Sequence, residues 1–136
     1  MEDLLDHAAA MGLRVQFRDL GRRHGEVHSS GLVVINDCRP VRVQRIALAH
    51  ECGHHAHGHD WRRRHDQDRD ERQADTYAAR LLVSPDDYLD AERAVGSHPG
   101  SLARELGVTE RLILLWRADY LSEVGVVRQL PARSAG

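Results

Sequence analysis

The chain has 136 residues, 41% of them hydrophobic, and a formal net charge of −2. That length suits one compact domain that buries a core without disulfide staples. The balance of 19 basic against 21 acidic residues gives no support for a general nucleic-acid or membrane binder, and no apolar run approaches the roughly 18–20 residues that span a bilayer.

Short predicted elements lead up to the main motif. Residues 2–11 carry apolar side chains at helical spacing and predict a helix that ends at Gly12. Apolar and polar residues alternate over 13–17, which predicts a strand, and residues 26–36 predict a hairpin. Because the first six residues are acidic and lack an apolar core segment, we expect no signal peptide and a cytoplasmic protein.

The stretch His50–His54 reads H-E-x-x-H and follows Pro40 in a run of helical apolar spacing. Residues four apart lie on one face of a helix, so both imidazoles can reach one metal ion. Glu51 follows the first histidine and can take a proton from a water at the open metal position. The motif predicts two metal ligands and a base, the minimum that a zinc hydrolase needs. The alternative is a histidine-rich helix that matches the motif by chance.

A third metal ligand is expected, because catalytic zinc sites usually have three protein ligands. The next predicted helix, over residues 70–82, carries Glu71 and Asp75 four residues apart on one face. If this helix packs antiparallel against the motif helix, Glu71 supplies the third ligand. Asp75 can then accept a hydrogen bond from the ring N–H of a ligating histidine. The alternative is that both carboxylates belong to a face of this helix that is exposed to solvent and binds no metal.

Three more histidines, His55, His57 and His59, follow the motif. A metzincin would require H-E-x-x-H-x-x-G-x-x-H, whose glycine and last histidine would fall on His57 and Asp60, so that class is excluded. We interpret the three histidines as a polar helix end, while a contact with substrate or a second metal ion stays open. Cys52 is spaced away from the metal face and is predicted to be a buried core residue.

The C-terminal part is predicted to be helical. Ser84 is expected to cap a helix from Asp86 to about Val95, and residues 101–120 fit a helix-turn-helix pattern, which raises DNA binding as a hypothesis. Residues 112–116 in its second helix are apolar, whereas a DNA-reading helix presents polar and basic groups. We therefore interpret this unit as structural or as a docking surface.

Taken together, the motifs resemble the ImmA/IrrE family of small zinc metallopeptidases. The family pattern is close to HELGH, then E-x-x-A-[ND]-x-F-A-x-x-L-L and a proline; here it is matched by His50–His54, Glu71–Leu82 and Pro85. Residues 31–36 resemble the family's strand before the motif helix, and the resemblance covers roughly residues 25–120.

The resemblance implies a gluzincin-like site in which His50, His54 and Glu71 hold Zn²⁺ and Glu51 is the catalytic base. Such proteins commonly cleave a helix-turn-helix repressor and so relieve repression of a mobile element, prophage or stress regulon. The expected partner is therefore a specific cytoplasmic protein, with neither membrane nor DNA binding expected. Substrate identity and oligomeric state stay open, and the alternative is a non-catalytic zinc-containing regulator that binds DNA or a protein.

Peptide hydrolysis also needs a hydrogen-bond donor for the tetrahedral oxyanion. Tyr77, Tyr88 and the later histidines are candidates, and the spacing selects none of them. Tyr77 lies two residues past Asp75 and is predicted to point away from the metal face. Tyr77 and Cys52 also depart from the family pattern, where phenylalanine and leucine are usual, but neither is a proposed ligand.

The predicted fold class is α+β. We expect a small zincin-like domain in which a short antiparallel sheet packs on the H-E-x-x-H helix and the third-ligand helix, followed by a helical C-terminal part with the helix-turn-helix-like turn at 101–120. Residues 1–127 are predicted to form this single metallopeptidase domain, and residues 128–136 a flexible tail.

Overall fold

The structure, a computed structural model, describes residues 1–59 and 67–135, with side chains described as far as residue 124. Over these residues the fold is α+β, which confirms the predicted class. The elements in chain order are α1 Glu2–Ala10, β1 Arg14–Arg18, β2 Gly25–Val27, β3 Leu32–Asn36, α2 Val41–Ala56, α3 Gln67–Leu82, α4 Pro85–Val95, α5 Pro99–Leu106 and α6 Glu110–Ala135.

The sheet has the strand order β1-β3-β2 and is mixed. Strand β2 pairs antiparallel with β3, with Gly25 opposite Ile35, as the predicted hairpin requires. Strand β1 pairs parallel with β3, with Arg14 opposite Leu32, so the expectation of a purely antiparallel sheet is corrected. Alternation along one strand determines which face each side chain takes, but it carries no information about the direction of the neighbouring strand.

The chain divides into two compact units, residues 1–82 and 83–136. The first unit holds a core built from α1, the sheet and the inner face of α2, consisting of Leu4, Ala8, Leu13, Val33, Ile35, Ala47, Leu48 and Cys52. Cys52 is fully buried in this core, as predicted. Burial raises the pKa of its thiol to about 11, so the thiol stays protonated at neutral pH.

The second unit consists of α4, α5 and α6. The Ser84 hydroxyl caps α4 by accepting a hydrogen bond from the backbone N–H of Asp87 at 3.1 Å, as the sequence predicts. Gly107, at φ +71°, ends α5 in the left-handed conformation and leads into α6. The ring of Trp116 stacks on that of Tyr88 at a centroid distance of 4.2 Å, and its Nε1 donates to the carbonyl of Val83 at 2.9 Å.

The predicted single domain over 1–127 stays a prediction, as does the flexibility of residues 128–136, which lie largely within α6. The predicted helix-turn-helix-like pair is present as α5 and α6. Of the helices in the described part of the chain, none is both long and apolar enough to cross a bilayer.

Candidate metal centre

Helices α2 and α3 build the candidate centre by packing side by side. His50 contacts Asp75, whereas His54, one turn later in α2, contacts Glu71, one turn earlier in α3. The two helices therefore run antiparallel, which is the condition that Glu71 needs to be the third ligand. A Cβ at Gly53 would lie 2.7 Å from the carbonyl oxygen of Ala74, so the absence of a side chain at this position permits the close approach.

Three side chains converge in this interface with their ligand atoms close together. Nε2 of His50 and Nε2 of His54 are 3.0 Å apart, and the two carboxylate oxygens of Glu71 lie 3.1 Å from these nitrogens, Oε2 from His50 and Oε1 from His54. Donors of a tetrahedral zinc ion with bonds of about 2.0–2.1 Å are about 3.3 Å apart. The donor types and separations therefore fit a zinc ion, and among the described residues this is the one group able to hold a metal.

Asp75 lies where the sequence predicts it, beside a histidine of the motif. Its Oδ1 is 2.7 Å from Nδ1 of His50, so the carboxylate can accept a hydrogen bond from the Nδ1–H group. This hydrogen bond favours the tautomer in which Nε2, the nitrogen that faces Glu71, carries no proton. Burial by itself lowers the pKa of His50, but the hydrogen bond with Asp75 and the nearby Glu51 carboxylate outweigh burial and raise it. Burial and the neighbouring His50 lower the pKa of His54, which favours the neutral imidazole that binds metals.

Glu51 is buried, with 8% of its surface exposed, and is not one of the three converging side chains. Burial raises the pKa of its carboxyl to about 7, with Glu71 and Glu26 adding to the effect and His50 opposing it. Together with His50, Glu51 lines a cleft of about 400 Å³. A carboxyl with a pKa near neutrality beside an open cleft is suited to taking up and releasing a proton.

The same cleft is lined by Arg22, Arg23 and His24, which sequence reasoning missed because residues 21–25 lie between the predicted strand over 13–17 and the predicted hairpin over 26–36 and match no motif. Asn36 holds this loop, since its buried amide donates to the carbonyls of Gly21 at 3.0 Å and Arg23 at 2.8 Å. No spacing in the sequence links the loop to the motif; the link is made by β2, which follows the loop and packs beside α2. These groups are additional candidates for contacting a substrate.

The remaining candidates for an oxyanion donor lie as follows. The hydroxyl of Tyr77 is 2.7 Å from Nε2 of His7, and the Tyr77 ring packs against the core, in agreement with its predicted orientation. Tyr88 belongs to the second unit, where its hydroxyl accepts a hydrogen bond from Nε of Arg117 at 2.6 Å. His55 and His57 are exposed, whereas the His59 side chain is only 10% exposed and contacts His54, which corrects the interpretation of His59 as part of a polar helix end.

An H-E-x-x-H helix, a second helix carrying a glutamate and a small mixed sheet define a zincin-like protein of the metallopeptidase type. The family model of the peptidase M78, IrrE N-terminal-like domain matches residues 8–115. The chain therefore belongs to the peptidase M78 family, as its resemblance to the ImmA/IrrE proteins implied. No curated protein that was compared with the chain matches it.

Proposed function

We propose that the protein is a zinc-dependent endopeptidase. The observation that carries this proposal is the convergence of His50, His54 and Glu71 within 3.0–3.1 Å of one another, with buried Glu51 beside the cleft. Membership of the peptidase M78 family supports it. In this proposal the three converging side chains hold Zn²⁺, and Asp75 fixes the tautomer of His50.

The proposed reaction is hydrolysis of a peptide bond. When bound, zinc supplies Lewis-acid chemistry, which polarises the peptide carbonyl and lowers the pKa of water. Glu51 accepts a proton from the attacking water and then donates it to the nitrogen of the leaving amine. His24 and the arginines of the loop over residues 21–25 line the cleft with Glu51, so we propose that this loop contacts the substrate backbone or the developing oxyanion.

We propose a cytoplasmic helix-turn-helix repressor as the substrate, with relief of repression as the biological outcome. Support comes from the resemblance to the ImmA/IrrE proteins and from family membership alone. The cleft of about 400 Å³ has room for a few residues of an extended peptide, so recognition of a whole protein would also need surfaces outside the cleft.

The alternative function is a non-catalytic zinc-containing regulator that binds DNA or a protein. The helix pair α5 and α6, joined at Gly107, is the observation in its favour. Against it, a structural zinc site is normally closed by four protein ligands, whereas the described group has three. The two functions also differ in their need for Glu51, which a structural site would not use.

The experiment is incubation of the zinc-loaded full chain with helix-turn-helix proteins encoded near its gene, and with peptides from a digested proteome. We expect one or a few defined cuts, detected by mass spectrometry, which a chelator abolishes and added zinc restores. An absence of cleavage in every sample, together with zinc-dependent DNA binding measured by fluorescence anisotropy, would favour the regulator.

A further inference from the structure

His59 lies at the Nδ1 edge of His54, within the protein and without an assigned role. Nδ1 of His59 is 2.9 Å from Nδ1 of His54, and the His59 side chain is only 10% exposed. Its other ring nitrogen, Nε2, lies 2.8 Å from Oε1 of Gln73 and 3.4 Å from Oδ1 of Asp70. Both nitrogens of His59 therefore have a polar partner inside the α2–α3 interface.

The end of α2 explains how His59 reaches this position. Gly58 takes the left-handed conformation at φ +65°; the backbone N–H of His59 donates to the carbonyl of His54 at 3.0 Å, and that of Gly58 donates to the carbonyl of His55 at 3.1 Å. These two hydrogen bonds form the Schellman pattern that ends many helices. The pattern turns the chain back over the last turn and brings His59 beside a residue five positions earlier.

The partners of the two rings permit a single consistent set of proton positions. Nε2 of His54 faces Glu71 at 3.1 Å, so a His54 that uses Nε2 as a ligand atom must carry its proton on Nδ1. Nδ1 of His59 then has to accept that proton, which places the proton of His59 on Nε2. The amide oxygen of Gln73 can only accept a hydrogen bond. The arrangement therefore gives each hydrogen-bonding group in the series His54, His59 and Gln73 a matching partner.

We propose that His59 is a positioning residue of the metal centre. It accepts the Nδ1 proton of His54 and so fixes the tautomer and ring orientation that present Nε2 of His54 beside Glu71. The inference rests on the proposed zinc site. It gives both motif histidines the same kind of support, from Asp75 for His50 and from His59 for His54. Helix α3 anchors both supports, because Gln73 and Asp70 hold His59.

The test compares His59→Leu with His59→Asn in the full chain. Leucine removes the acceptor, whereas the side-chain oxygen of asparagine can stand near the position of Nδ1 and still accept from His54. We expect His59→Leu to bind zinc about 10–100-fold more weakly than the wild type, as for the loss of other partners of metal-ligating histidines, and His59→Asn to recover most of the difference. Affinity is measured by competition with a chromophoric chelator.

His55→Leu is the matched control, because His55 is an exposed histidine in the same turn and should leave zinc affinity unchanged. Equal affinities of His59→Leu and the wild type would overturn the inference. So would an equal loss in His59→Asn and His59→Leu, which would show that ring packing matters rather than the acceptor. A wild type that binds no zinc would instead refute the proposed function.

A second measurement needs no variant and so does not depend on the variants folding. Long-range ¹H–¹⁵N correlation spectra of the zinc-loaded protein report which nitrogen of each imidazole carries the proton. We expect the Nδ1–H tautomer for His54 and the Nε2–H tautomer for His59. A proton on Nδ1 of His59 would leave it without an acceptor role and would overturn the inference.

Discussion

At the scale of single residues, the acidic groups of the centre differ mainly in their environment. The Glu71 side chain is 45% exposed and faces both motif histidines, whereas that of Asp75 is 20% exposed and contacts Nδ1 of His50. Glu51 is the most buried of the three and lines the cleft. The proposed roles of ligand for Glu71, supporting acceptor for Asp75 and base for Glu51 rest on these environments and stay predictions.

Glu71→Gln tests the third ligand. Replacing the carboxylate by an amide removes the anionic ligand while keeping the side-chain volume, so zinc affinity should fall by more than the roughly 10–100-fold typical of losing a supporting group. The measurement is chelator competition, with Asp68→Asn, an exposed carboxylate on the same helix, as the control. Unchanged zinc affinity in Glu71→Gln would show that this residue is not a ligand.

The raised pKa of Glu51 predicts that the stability of the metal-free protein depends on pH. Its pKa of about 7 in the folded protein exceeds the ordinary value of 4.5, so between these values the folded state holds a proton that the unfolded chain releases. Stability contributed by this group is present below pH 4.5 and is lost as the pH rises through 7. By pH 8 the loss should reach up to about 3 kcal/mol.

Urea unfolding of the metal-free wild type and Glu51→Gln at pH 5 and pH 8 measures this effect. Because glutamine does not titrate, the variant should gain stability relative to the wild type as the pH rises. Titrating groups that do not interact with Glu51 are common to both proteins and cancel in the comparison, whereas His50, whose pKa the Glu51 carboxylate raises, contributes to the measured difference. A stability difference that does not change with pH would contradict the burial-driven shift.

At the scale of elements, two four-residue spacings predicted which faces of α2 and α3 carry the site, and the structure meets the condition of antiparallel packing that a third ligand from α3 required. What was not predictable depends on contacts between elements. The direction of β1 depends on its partner strand, and the placement of residues 21–25 beside the motif depends on β2. The contact of His59 with His54 depends on the end of α2. The glycine at this helix end is visible in the sequence, but the partners of the His59 ring on α3 are not.

Gly53→Ala tests the close packing of these two helices. The added Cβ would lie 2.7 Å from the carbonyl oxygen and 2.8 Å from Cα of Ala74, and because both are backbone atoms, the helices have to move apart. We expect a loss of about 1–3 kcal/mol in the free energy of unfolding, as for other overpacked sites, and weaker zinc binding because Glu71 moves with α3.

Urea unfolding and chelator competition measure the two effects of Gly53→Ala. Val41→Ala, at an exposed position at the start of the same helix, is the control and should change stability by less than about 0.5 kcal/mol. Wild-type zinc affinity in a folded Gly53→Ala protein would show that the spacing of the helices does not determine the geometry of the site.

At the scale of the whole molecule, the chain has two compact units, and the family match over residues 8–115 includes parts of both. The three proposed ligands, together with Glu51, Asp75 and His59, all lie in the first unit, over residues 1–82. Zinc should therefore stabilise this unit directly, because its ligands come from two helices that are brought together only in the folded chain.

Thermal unfolding with and without zinc tests this coupling. At a free zinc concentration of 100 times Kd, binding to the folded state alone adds about 2.7 kcal/mol of stability, which should raise Tm by several degrees. A chelator should reverse the rise, and Glu71→Gln should show little of it at the same zinc concentration. An equal rise in both proteins would place the zinc elsewhere.

The most direct test of the central proposal compares peptide-bond cleavage by the wild type and Glu51→Gln when both carry equal amounts of bound zinc. The readout is the appearance of new peptide termini by mass spectrometry, with a substrate that the wild type cuts. We predict that Glu51→Gln keeps the fold and the zinc but loses cleavage by at least about 100-fold, because the proton transfers lack their base. Cleavage by Glu51→Gln at the wild-type rate would contradict the proposed mechanism.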